Sequence, residues 1–135
     1  RSGLGKTFFM NCVAQRVLER GYSVVVISAY KLVELMRAYQ FDGKGTEQVQ
    51  DILNCDLLAI DDLGSEPMIR GVTISSLYYI VSERNNANRA ILVTTNCDSD
   101  LLYEKYDDRI AARLTAPSRM NVIEFVGTDV RRFAH

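Results

Sequence analysis

The sequence is poor in residues that carry several common kinds of catalysis. It has no tryptophan, two prolines and one histidine, His135, at its last position. With no histidine inside the chain, a catalytic histidine has no good candidate. The three cysteines, Cys12, Cys55 and Cys97, are odd in number, widely separated and set among apolar residues. This pattern favours buried, reduced thiols over disulfides or metal ligands.

Long apolar runs and a strong net charge are also missing. No run approaches the roughly 20 apolar residues of a membrane span, and no signal-peptide pattern leads the chain, so we expect a cytoplasmic protein. The formal net charge is −1 at pH 7, which means that any binding of nucleic acid has to be local. A length of 135 residues with 47% hydrophobic content predicts one globular domain over residues 1–135.

Short apolar runs with turn residues around them alternate with segments of helical periodicity. This alternation predicts an α/β fold with a parallel sheet and helices on both faces. Gly21 is expected to end the first helix and Thr46 to cap a short helix, and one further helix contains Ile110 and Leu114. The predicted strands are residues 23–28, 56–64, 90–96 and 120–126.

The chain opens with RSGLGKT, the end of a phosphate-binding loop of the form G-x-x-x-x-G-K-[ST]. Small residues let backbone N–H groups converge on phosphate oxygens at a helix N-terminus. Lys6 would reach the β- and γ-phosphates and Thr7 would bind Mg²⁺. The first glycine and the strand before such a loop are expected ahead of Arg1, so we expect a fragment of a longer protein. The predicted nucleotide-binding residues here are Ser2, Gly3, Leu4, Gly5, Lys6, Thr7 and Phe8.

Polar side chains follow two of the predicted strands. Asp61 and Asp62 come after four apolar residues, at the sheet edge where α/β proteins bind ligands. Asp61 is predicted to hold Mg²⁺ through water, and Asp62 to orient or deprotonate an attacking water. Asn96, at the end of the next strand, could lie between the γ-phosphate and that water. It is equally an ordinary strand terminator.

Two arginines near the end of the chain share one helix face. Arg109 and Arg113 are spaced i, i+4. A guanidinium stays charged and grips phosphate oxygens, so an exposed pair can complete the nucleotide site of another subunit. The alternative is a solvated face that pairs with Asp107, Asp108 or Glu104.

The segments GLGKT, LLAIDDLGSEP, ILVTTN and DDRIAARL, in this order, resemble the AAA+ ATPases of the DnaC/DnaI helicase-loader group and their IstB-type transposition-helper relatives. The resemblance covers essentially the whole chain, and DDLGSEP at residues 61–67 looks closer to the loaders. It implies a P-loop NTPase fold with a sheet of strand order 5-1-4-3-2, whose first strand would lie before Arg1.

The resemblance also implies roles for eight residues. They are the Walker A residues Lys6 and Thr7, the Walker B residues Asp61 and Asp62, the sensor I residue Asn96, the arginine finger Arg113 with Arg109 one turn earlier, and the second sensor Arg131. Most AAA+ proteins have glutamate at the position of Asp62. The shorter side chain implies that hydrolysis is slow or needs a partner.

The family resemblance implies ATP and Mg²⁺ as cofactors, and three binding partners: a replicative helicase, single-stranded DNA and further copies of the chain. In loaders, DNA binds between the second strand and Walker B. Basic and aromatic residues in that segment could grip phosphates and stack bases. They are Lys31, Arg37 and Lys44 with Tyr30, Tyr39 and Phe41. Alternatively, Leu32, Leu35, Met36 and Tyr39 indicate a helix that packs on the sheet.

Three other functions stay open at this point. An IstB-like helper of a transposase would share the same chemistry with a different partner. A small-molecule phosphotransferase would use the same loop, although Asp61, Asp62 and Asn96 suit the handling of water and no arginine-rich lid is evident. A module that binds nucleotide without turnover is the third.

Overall fold

The computed structural model describes residues 5–115. The predicted strand at residues 120–126 therefore lies outside the described part of the chain. The helices are α1 (Lys6–Glu19), α2 (Ala29–Asp42), α3 (Thr46–Asn54), α4 (Thr73–Asn86), α5 (Ser99–Lys105) and α6 (Asp108–Thr115). The strands are β1 (Val24–Ser28), β2 (Leu57–Leu63) and β3 (Ala90–Thr95).

The described strands form a parallel sheet in the order β1-β2-β3. Val24 pairs with Leu57, and Leu57 pairs with Ala90. All three strands therefore begin at the same side of the sheet, and their carboxyl ends lie together at the opposite side, which we call the carboxyl edge. This order matches the 4-3-2 part of the expected sheet, and the predicted α/β class is confirmed. Within residues 5–115, no helix is long and apolar enough to cross a bilayer.

The two faces of the sheet are covered unequally. Because side chains alternate along a strand, Leu58 and Ile60 of β2 point to one face, where they pack with Leu32 of α2 and Ile80 of α4 in the main core. The other face carries α1, which contacts all three strands. Helix α6 packs on α4 rather than on the sheet, so the main core extends outward through a second layer of helices.

Two helix predictions need correction. Gly45, with φ 80°, precedes the helix that was predicted to be capped by Thr46, and Thr46 is the first helical residue. A Cβ at Gly45 would lie 2.6 Å from the Leu35 side chain, so this close turn requires glycine. The single helix predicted around Ile110 is two helices, α5 and α6, and Asp98 caps the first by accepting a hydrogen bond from the Leu101 N–H at 2.9 Å.

The prediction of three buried cysteines is confirmed for one of them. Cys55 is buried, Cys97 is partly exposed and Cys12 is exposed on α1. All three are free thiols, as predicted. Met10 and Ala14 are the buried residues of α1, whereas Cys12 between them is exposed.

Arg84 of α4 is the largest fully buried side chain of the described residues. Its guanidinium donates to the carbonyl oxygens of Ile52 at 2.8 Å and Leu53 at 3.4 Å, in the last turn of α3. It also donates to the carbonyl oxygens of Asp56 at 3.2 Å and Ala90 at 2.7 Å, where β2 and β3 begin. One buried side chain therefore joins a helix end to two strands, at the sheet edge opposite the acidic pair.

Candidate nucleotide-binding site

The phosphate loop leads directly into α1 at the carboxyl edge of the sheet. Gly5 precedes the helix in a left-handed conformation, φ 86°, and no side chain caps this N-terminus. The first N–H groups of a helix lack partners within the helix and carry its positive dipole end, which suits phosphate. Lys6 is the first helical residue and Phe8 is 75% exposed. Ser2, Gly3 and Leu4 lie outside the described residues.

The structure brings the two predicted Mg²⁺ ligands together. The Thr7 hydroxyl donates to the Asp61 carboxylate, with Oγ1 at 3.1 Å from both Oδ1 and Oδ2. Hydroxyl and carboxylate oxygens are hard ligands of the type that Mg²⁺ takes, and this ion usually binds one or two protein groups, water and phosphate. A hydroxyl and a carboxylate therefore fit Mg²⁺ that is brought in with a nucleotide. Among residues 5–115 no group of three or more acidic, cysteine or histidine side chains could hold a metal ion.

Asp62 occupies an irregular part of β2. The observed strand, Leu57–Leu63, falls within the predicted range of residues 56–64, and its register shifts between Ile60 and Leu63. Asp62 itself has φ 58°, a left-handed conformation that non-glycine residues rarely adopt. Such a bulge changes the direction in which the strand presents its side chains. The result is an exposed Asp62 next to a half-buried Asp61.

Thr94 of β3 is a site residue that the sequence interpretation missed. Its hydroxyl donates to the Asp61 carboxylate and accepts a hydrogen bond from the Asp62 N–H at 2.8 Å. It therefore holds both the carboxylate and the bulged backbone from the neighbouring strand. The signal in the sequence that could have identified Thr94 is a hydroxyl residue that follows the apolar residues 90–93 of a predicted strand.

Replacing Thr94 by valine keeps the shape of the side chain and removes the hydroxyl. We expect Thr94→Val to lose about 1 kcal/mol of stability and to lower ATP hydrolysis by about tenfold, because Asp61 and Asp62 lose a shared partner. Thr94→Ser retains the hydroxyl and should stay within about twofold of the parent. Urea unfolding and single-turnover hydrolysis measure the two effects, and equal hydrolysis rates for Val and Ser would contradict this role.

A buried carboxylate fixes the turn that follows Asp62. Glu66 is 4% exposed and accepts hydrogen bonds from the Gly64 N–H at 2.7 Å and from the Tyr106 hydroxyl. Burial, and then the Glu66 hydrogen bond, raise the pKa of Tyr106 above its ordinary value. Gly64 has φ 111°, and a Cβ there would lie 2.8 Å from Cys97 Sγ. The turn is thus attached to Tyr106, the residue directly after α5.

Asn96 lies at the same edge of the sheet as the acidic pair. It is exposed and comes directly after β3, whose last residue Thr95 pairs with Leu63. The Thr95 hydroxyl donates to the Leu63 carbonyl oxygen at 2.5 Å, which holds the two strand ends together. This position is consistent with the predicted sensor role, and the role itself stays a prediction.

The arginine pair lies on α6, the last of the described helices. Arg109 makes a bidentate contact with Asp107, with Nε and Nη2 each 2.9 Å from a carboxylate oxygen. The hydrogen bonds from Arg109 lower the pKa of Asp107 to about 2. Arg109 therefore has the acidic partner that the alternative interpretation predicted. Both Arg109 and Arg113 contact the ring of Tyr78, and Arg131 lies outside the described residues.

The model of the IstB-like ATP binding protein family matches residues 1–116. The chain belongs to this family. The IstB-like chain is also 27% identical to the replicative helicase loader DnaC of Escherichia coli K12 over 127 residues, which cover 91% of the chain and 51% of DnaC. It spans about half the length of the curated relatives that it matches.

Solved structures give the fold of this IstB-like protein. The crystal structure of DnaI superposes with a TM-score of 0.72 at 23% identity, over 94% of this chain and 67% of DnaI. AMPPCP-bound DnaA from Aquifex aeolicus superposes with a TM-score of 0.69 at 23% identity, over 83% of this chain and 35% of DnaA. The predicted resemblance and the AAA+ P-loop fold are confirmed, and the family to which the chain belongs is described as IstB-like ATP binding protein.

Helix α2 of the IstB-like chain is the segment for which the sequence left two interpretations open. Leu32 and Met36 are buried against the sheet, which confirms the packing helix. Tyr30 and Phe41, however, are 55% and 64% exposed, so aromatic rings remain accessible at both ends of the helix. Arg37 is paired with Glu34 at 3.3 Å, which makes it a weaker candidate for a phosphate contact.

Proposed function

We propose that this chain is the ATPase domain of a helicase loader, which binds and slowly hydrolyses Mg·ATP to control delivery of a replicative helicase to single-stranded DNA. The observation that carries the ATPase part is the contact of Thr7 Oγ1 with both Asp61 carboxylate oxygens at 3.1 Å, at the N-terminus of α1. Asp62 follows directly, so a metal-binding and a water-handling group stand side by side.

The proposed reaction is attack of water on the γ-phosphorus of ATP. The bond from the γ-phosphorus to the bridging oxygen breaks as the bond to water forms, which gives ADP and inorganic phosphate. Asp62 orients the water and accepts its proton. Thr7 and Asp61 would hold Mg²⁺, which when bound neutralises charge on the phosphates. The backbone N–H groups at the start of α1 and Lys6 bind the phosphate oxygens.

The loader part of the proposal is supported by similarity and by exposed surfaces. The chain is 27% identical to a protein named as a replicative helicase loader. Tyr30 and Phe41 are exposed on α2, and Lys31 and Lys44 lie beside them in sequence and are also exposed. Bases stack on aromatic rings and phosphates pair with lysines, so this surface fits a single strand.

Single-turnover hydrolysis with and without single-stranded DNA is the decisive experiment. In the full-length protein, we expect Arg113→Ala to bind ATP normally and to lose DNA-stimulated hydrolysis by on the order of 10³-fold, the usual contribution of an arginine finger. Lys6→Ala is expected to lose ATP binding. Arg16→Ala, a change at an exposed arginine of α1, is the matched control and should leave both unchanged.

Each outcome of this experiment has a defined meaning. Normal DNA-stimulated hydrolysis by Arg113→Ala would make the arginine-finger assignment wrong. Phosphate transfer to a nucleoside or nucleotide, in place of release as free phosphate, would favour a phosphotransferase. Binding of ATP with no turnover under either condition would favour a nucleotide-locked module.

The second candidate function is an ATPase helper of a transposase. The match of the IstB-like family model over residues 1–116 favours it. The two candidates share the same nucleotide chemistry and differ in the protein that they deliver. Nucleotide-dependent co-purification with a hexameric helicase would support the loader, and co-purification with a transposase would support the helper.

A further inference from the structure

Both arginines of α6, Arg109 and Arg113, contact the aromatic ring of Tyr78 in α4. The guanidinium carbon of Arg109 lies 4.3 Å from the ring centroid, and that of Arg113 lies 5.0 Å from it. Both distances are inside the roughly 6 Å limit of cation–π attraction. Tyr78 is half-buried and belongs to the helix on which α6 packs, so the ring is part of the rigid body of the domain.

The two guanidinium groups need such a support because they repel each other. Like charges at i, i+4 on a helix destabilise it, and each arginine side chain has high rotamer entropy. Asp107 neutralises Arg109 through its bidentate contact. Arg113 is held within its own helix by a single hydrogen bond, from Nη1 to the Arg109 carbonyl oxygen at 3.0 Å. Its contact with the Tyr78 ring joins it to a second helix, α4.

We propose that Tyr78 is a positioning residue, whose ring holds Arg113 on the face of α6 from which it reaches a phosphate on a neighbouring copy of the chain. This inference rests on the proposed function, because it requires Arg113 to act between subunits. Asp107 holds Arg109 beside it, so that Arg113 supplies the contact with phosphate and Arg109 shapes the surface. Preorganised cations stabilise developing charge without reorganising during the reaction.

Three tyrosine variants test the role of the ring in the full-length protein. Tyr78→Leu keeps apolar volume and removes the π face, and we expect DNA-stimulated single-turnover hydrolysis to fall at least about tenfold with unchanged ATP affinity. Tyr78→Phe keeps the ring and should stay within about twofold. Tyr79→Leu changes the exposed neighbouring tyrosine of the same helix and is the matched control.

Mixed assemblies then test whether Tyr78 acts across the interface. Asp62→Asn subunits retain Tyr78 and Arg113, so an excess of them should restore hydrolysis in Tyr78→Leu subunits by supplying an intact arginine face. Absence of restoration, a rate for Tyr78→Leu equal to or above the parent, or an equal loss in Tyr78→Phe would each overturn the inference.

Failure of this inference is distinct from failure of the proposed function. If Arg113→Ala loses stimulated hydrolysis while Tyr78→Leu retains it, the arginine finger stands and the positioning role of the ring is wrong. If Arg113→Ala retains stimulated hydrolysis, the finger assignment fails first and the role of Tyr78 fails with it.

Discussion

Arg84→Ala is expected to remove at least about 4 kcal/mol of the free energy of unfolding, which would leave much of the protein unfolded. The guanidinium donates to four carbonyl oxygens, two in α3, one directly before β2 and one in β3, and to Cys55 Sγ at 3.4 Å. Each buried acceptor left without its donor costs about 1–3 kcal/mol. The positive charge also interacts favourably with the negative end of the α3 dipole, and this interaction is lost with the side chain.

Two further variants separate hydrogen bonding from packing. Arg84→Met fills most of the same volume without donors, and we expect it to remain at least about 3 kcal/mol less stable than the parent. Arg89 is half-exposed and donates to the Leu53 carbonyl oxygen at 3.2 Å and to Asn54 Oδ1 at 3.1 Å. Arg89→Ala is therefore the matched control and should cost about 1 kcal/mol or less.

Equilibrium urea unfolding followed by circular dichroism measures these differences. A methionine variant as stable as the parent would mean that Arg84 fills space and that its hydrogen bonds contribute little. An alanine variant within about 1 kcal/mol of the parent would contradict both explanations.

Arg84 also marks a limit of prediction from the sequence. The three strands within residues 5–115 were predicted to within a residue or two because apolar runs such as residues 24–27 are local signals. The burial of an arginine is not local, since its partners Ile52 and Ala90 are brought to it by the packing of three separate elements. A charged residue in a helix pattern is normally assigned to the solvent face, and periodicity carries no signal against this.

The candidate site was predictable where it follows a motif and was missed where it depends on contact between strands. Thr7 and Asp61 belong to patterns with known spacing, and their contact at 3.1 Å joins two such patterns. Thr94 and Glu66 act through hydrogen bonds to the backbone of Asp62 and Gly64. These bonds require a bulge and a turn whose geometry no spacing rule contains.

The left-handed backbone at Asp62 gives a physical reason for aspartate at a position where glutamate is usual in the resembled family. Asp and Asn adopt positive φ several-fold more readily than other non-glycine residues, and Asp62 has φ 58°. A glutamate there would carry its carboxylate one methylene further but would strain the bulge. The bulged backbone therefore favours aspartate, the shorter base, at this position. We expect slow hydrolysis because the carboxylate reaches less far toward the attacking water.

Asp62→Asn should accordingly abolish turnover without disturbing the fold. Asparagine suits a left-handed position at least as well as aspartate, so we expect unchanged stability and ATP affinity. Loss of the base should lower DNA-stimulated single-turnover hydrolysis by at least about 100-fold. Asp62→Glu restores a base at the cost of about 1 kcal/mol of stability, and its hydrolysis should exceed that of Asp62→Asn by at least about tenfold. If the asparagine variant hydrolyses ATP as fast as the parent, another group handles the attacking water and the strained backbone at Asp62 has to be explained by the contact with Thr94.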